Sequence, residues 1–154
     1  MSYPRIRVLY GPPILSLLLL VAACSGGTTP VEPLVGGSAV PVTLSTSYFP
    51  LGQAQPRLQW TGLPGAVEAV WKVEGPNCFL AHASAERAGS VIAIRVARAP
   101  NPLANCLAGN SGYRYLIRVT GLAAGRYDVR LIEDGPGQPG RAIGRSSVAV
   151  SPGS

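Results

Sequence analysis

Residues that carry chemistry are scarce in this chain. Its 154 residues include one histidine, His82, one lysine, Lys72, one methionine and three cysteines. A lone histidine leaves a single candidate base for a Ser-His-Asp arrangement, and no serine stands in a nucleophile-elbow pattern. Ser84 and Ser90 lie in ordinary turn contexts, and His82 reads as an exposed loop residue. Only seven residues are acidic, and no two carboxylates among Glu68, Glu74, Glu86, Asp128, Glu133 and Asp134 can be set opposite one another. Glu133-Asp134 runs straight into a Gly-Pro turn and reads as solvated loop. Phosphate-cradling glycine loops, calcium loops and nucleotide fingerprints are also missing. The expectation is a non-enzyme with no cofactor and no metal site.

Long apolar runs are missing too. The longest, Ile14 to Ala23, has about ten residues, half of the roughly 20 that a membrane-spanning helix needs. Beyond it no segment has a convincing 3.6-residue apolar period, which argues against a helical domain. Ala81 to Ala88 has helix-forming composition but is short and lacks an apolar stripe. The formal charge is +6, a mild basic excess that does not point to nucleic acid.

What is present begins with an address. Arg5 and Arg7 form a positive start, Ile14 to Ala23 an apolar stretch, and Val21-Ala22-Ala23-Cys24 closes it. This resembles the signal peptide and lipobox of bacterial lipoproteins, in which the cysteine is lipidated and becomes the first mature residue. The resemblance implies a cleaved segment 1–23 and lipid on Cys24. It also implies a lipid-anchored location in the cell envelope, at the outer membrane in a Gram-negative host, because Ser25 is not an Asp-type retention signal. Cleavage would lower the net charge to about +4. Ser25 to Gly37, rich in Gly, Ser, Thr and Pro, then reads as a tether spanning roughly 20 Å, so that 24–37 is lipidated terminus and tether. With Cys24 assigned to lipid, Cys78 and Cys106 are left to pair in an oxidising compartment. That bond would stabilise the fold by roughly 3.5 kcal/mol on the chain-entropy model. A zinc site made from these two thiols and His82 lacks the required spacing.

Residues 38–154 form the expected domain. Glycine and proline together number 34 and fall between short apolar runs, as in many-stranded folds. Period-two alternation marks seven strands: Ala39 to Ser45, Leu58 to Thr61, Val67 to Val73, Val91 to Arg98, Tyr113 to Val119, Arg126 to Ile132 and Ile143 to Val150. Pro56 puts the second at a sheet edge. Seven strands over this length predict an all-β, antiparallel two-sheet sandwich. Gly121-Leu122-Ala-Ala-Gly125-Arg-Tyr127-Asp-Val129-Arg-Leu131 resembles the turn and following strand of fibronectin type III and related immunoglobulin-like domains. By that resemblance Leu122 plugs the core, Tyr127 bonds back to the loop backbone as a tyrosine corner, and Trp60 or Trp71 is the central core tryptophan. Cys78 and Cys106 depart from the inter-sheet bridge of antibody domains, since neither lies in the strand of Tyr127.

Two surfaces could bind. Arg95, Arg114 and Arg118, if carried by one sheet, would offer guanidinium forks to anionic envelope glycans; solvated strand arginines are the plainer reading. Arg126 and Arg130 project from the next strand, and strands in different sheets would put their arginines on opposite surfaces. The second surface is Gly75 to Gly112, with Cys78, Cys106, Asn77, Asn101, Asn105 and Asn110, read as braced loops at one end of the sandwich. The expected function is a membrane-anchored, non-enzymatic protein-interaction module of the envelope, with anionic-polymer binding as the alternative and no nucleic acid partner.

Overall fold

The computed structural model describes residues 34–50, 57–74, 78–102, 111–135 and 138–153. Cys24, the expected signal segment, most of the expected tether and Cys106 lie outside these residues. Among the described residues the architecture is an all-β sandwich with nine strands where the sequence indicated seven: β1 (Ser38–Ala39), β2 (Val42–Pro50), β3 (Leu58–Leu63), β4 (Ala66–Glu74), β5 (Phe79–Ala88), β6 (Val91–Pro100), β7 (Ser111–Thr120), β8 (Gly125–Gly135) and β9 (Gln138–Val150). One sheet has the order β1-β5-β6-β8-β9 and the other β2-β7-β4-β3. As the sequence predicts, β3 is an edge strand.

The two additional strands have separate causes. The first expected strand is split at Pro41, which has no N–H to give to a ladder. Val40 still donates to the Ala85 carbonyl of the five-stranded sheet (3.0 Å), while the Pro41 carbonyl accepts from Thr120 in the other (3.1 Å). The chain therefore changes sheets at this dipeptide. The other addition, β5, occupies ten residues of the Gly75 to Gly112 segment, whose reading as loop is corrected to this extent. Pairing is antiparallel except between β6 and β8, which run parallel. Parallel neighbours need a long crossover, and here β7, in the opposite sheet, supplies it.

The core follows the alternation. Val67, Ala69 and Trp71 of β4, Ile92, Ile94 and Val96 of β6, Tyr113, Tyr115, Ile117 and Val119 of β7, and Tyr127, Val129 and Leu131 of β8 are all buried. Each large aliphatic among them contributes roughly 1.5–3 kcal/mol. Trp71 is buried in the core, and Trp60 packs half-buried against the cluster. The side formed by β3 and β9 is closed by close backbone approach. A Cβ on Gly62 would overlap the Ala149 carbonyl, and one on Gly144 would come 2.7 Å from Leu58 Cδ2.

These directions give the sandwich two unlike ends. At the proximal end lie the chain's approach to β1, the β3–β4 and β5–β6 turns, the β7–β8 connection and the residues after β9. Gly65 donates to the Ser151 carbonyl there, and Leu122 donates to that of Gly65, each at 3.0 Å. The distal end gathers Arg57, Cys78, Asn101 and the β8–β9 hairpin. Ten-residue strands set the two ends roughly 30 Å apart.

Candidate functional site

At the proximal end, Leu122 is buried in the core and the Tyr127 hydroxyl donates to the Ala123 carbonyl at 3.0 Å. A buried leucine and a back-bonded tyrosine fix the path from β7 into β8. This corner is structural, since its hydroxyl is committed to the backbone.

The three arginines expected to form one face do not share one. Arg95 is on β6, in the five-stranded sheet, whereas Arg114 and Arg118 are on β7, in the four-stranded sheet. Their outward side chains lie on opposite surfaces of the sandwich, so the three-arginine face is corrected. Arg95 Nη1 stands 3.5 Å from Asp134 Oδ2. Arg118 Nη2 and Nε donate to Glu68 Oε2 at 2.7 and 3.1 Å. Arg114 Nε donates to Ser47 Oγ at 3.1 Å. His82 is exposed on β5, opposite Ala97, a strand position in place of the expected loop.

The distal end contains a polar cluster that sequence reading missed. Glu133, expected in a solvated loop, is 1% exposed. Glu133 shares the parity of Tyr127, Val129 and Leu131, so the alternation of β8 itself turns it inward, while Ile132, beside a register shift that skips Ile143 of β9, is the residue buried out of turn. The Glu133 carboxylate is paired with Arg98 through one oxygen and with Arg141 through the other. Arg98 Nη1 also donates to the Tyr113 hydroxyl at 2.6 Å, and its guanidinium lies over the rings of Phe79 (5.0 Å) and Trp71 (5.9 Å). Tyr115 packs against Trp71 and edge-on to Tyr113, with ring centroids 5.3 and 5.1 Å apart. Burial, and next the neighbouring Tyr113, push the Tyr115 phenol well above its ordinary range. A buried, doubly paired carboxylate of this kind orders the end of the sandwich.

Above this cluster a cleft of about 180 Å³ opens where β3 and β9 diverge, floored by Leu58, Trp71 and Ile143 and rimmed by Arg57, Lys72 and Arg141. Neither Arg57 nor Lys72 was singled out by sequence, because each is alone in its own strand and the row forms only by cross-strand register. Cys78 lies half-buried beside this end, its carbonyl accepting from Asn101 N–H at 2.8 Å. Among the described residues no group of three or more His, Cys, Asp or Glu is placed to hold a metal ion. No protein-family model, no curated protein and no solved structure matches this chain.

Proposed function

We propose that this chain is an exported lipoprotein, anchored through lipid on Cys24, whose immunoglobulin-like sandwich is a non-enzymatic module binding a protein of the cell envelope. The polarity of the sandwich carries this reading. The chain comes into β1 at the proximal end, so a tether running back to Cys24 leaves from that end. Cys78, the Arg98–Glu133–Arg141 cluster and the cationic cleft sit at the other, roughly 30 Å away. A module anchored at one end and chemically elaborated at the other presents its elaborated end outward. Pairing of Cys78 with Cys106 would brace the loops there. The tyrosine corner supports the immunoglobulin-like reading, although the parallel β6–β8 pair is foreign to those all-antiparallel sandwiches.

The test is site-specific photo-cross-linking of the full chain in its host, with the reactive residue at Leu80 near the distal end or at Ser151 at the proximal end. A discrete protein adduct from position 80, and none from 151, is the expected result. Adducts of equal yield from both positions, or none from position 80, would reject the distal binding end.

A further inference from the structure

We infer that the outer face of the four-stranded sheet carries, at its distal end, a site for a linear anionic glycan, formed by the cross-strand row Arg57–Lys72–Arg114. Lys72 is the register partner of Arg114 across β4 and β7. Lys72 N–H donates to the Arg57 carbonyl at 2.8 Å, extending the β3–β4 pairing by one residue. Leu58 and Trp71 are paired on the core face, so Arg57 and Lys72, one residue on, face outward with Arg114. Three consecutive strands thus present one cation each, in a row roughly 10 Å long at the usual strand spacing.

Stability does not explain this row, because like charges directly opposite across a sheet are unfavourable. The same two strands show the alternative four residues away, where Glu68 is opposite Arg118 and bonded to it. On the other sheet Arg95 stands 3.5 Å from Asp134, and Arg130 likewise from Asp128, although Arg130 also opposes Arg145. Glu74, at the end of β4 opposite Gly112, is the acid of this face next to the row.

Other features of the face suit a sugar chain. Phe49 covers Gly112, where a Cβ would come 2.5 Å from the ring, and Lys72 Nζ is 5.8 Å from the Phe49 centroid. The ring offers an apolar surface beside the cations. The Ser47 contact holds the Arg114 side chain on its β2 side, and the Arg141 guanidinium at the cleft rim is taken up by Glu133. An open row crossing strands fits a ligand with repeated charges, and guanidinium forks fit its carboxylates. A peptide joining a sheet would use an edge instead. The choice of a glycan over a nucleic acid rests on the export reading above.

The assay uses the full chain in detergent and immobilised polygalacturonate. Binding is expected to weaken as salt is raised. Lys72→Gln with Arg114→Gln should lower affinity about tenfold or more, whereas Arg126→Gln with Arg145→Gln, removing equal charge from the other sheet, should leave it unchanged. The first pair should melt no lower than the parent, since it removes a like-charge contact; Arg57→Gln alone, at an exposed position, repeats the test. Equal losses from both pairs, no loss from the first, or preferential binding of polyglutamate or single-stranded DNA would each overturn the site. Anchoring is read separately, from membrane release of Cys24→Ser, so failure of the export reading is not mistaken for failure of this site.

Discussion

Glu133 has two arginine partners of different standing. The Arg98 side chain is 15% exposed and the Arg141 side chain 44%. Removing the carboxylate leaves the guanidinium of Arg98 buried between Trp71 and Phe79 without its counter-charge, a loss that typically costs about 3–5 kcal/mol. Removing Arg141 breaks a half-solvated contact worth about 1 kcal/mol or less. Chemical denaturation of Glu133→Ala and Arg141→Ala should reproduce this order, and equal destabilisation would contradict the assigned burial. At this scale the sequence was readable wherever a residue obeyed alternation, as Val129 and Leu131 do. Glu133 obeys the same alternation and was missed only because the Gly-Pro turn after Asp134 made it read as loop, whereas β8 runs on to Gly135. Leu122 and Tyr127 were legible through the resemblance of their segment to the turn and following strand of fibronectin type III domains.

Strands announced themselves in proportion to the size of their inward residues. In β4, β6, β7 and β8 most inward positions carry Val, Ile, Leu, Trp or Tyr, and their expected bounds come within three residues of the observed ones. In β5 the inward positions include Ala81, Ala83 and Ala85, whose intrinsic preference is helical. Tertiary pairing with β6 overrides that preference. The Lys72–Arg114 pair was hidden at this level too, because it is a property of register between strands 42 residues apart in number and not of either strand. Closure of the β3–β9 side depends on Gly62 having no side chain. Gly62→Val should therefore destabilise by about 1–3 kcal/mol through overpacking, measured by thermal unfolding. Unchanged stability would show that β3 and β9 can separate without cost.

At the scale of the molecule, the two-sheet sandwich was legible because about seven short alternating segments have few other ways to bury one face each. The parallel β6–β8 neighbours were not, since strand order is set by how sheets pack and local pattern carries no record of it. The same order broke up the three-arginine face and assembled the distal row in its place. The proposed anchoring would tie these features together, because a lipid at Cys24 would turn the proximal end toward the membrane and the distal cluster away from it. The most direct measurement is the intact mass of the chain extracted from host membranes with detergent. The account predicts a polypeptide beginning at Cys24 that carries acyl chains on that residue. A full-length chain beginning at Met1, without acyl mass and recovered from the soluble fraction, would contradict it.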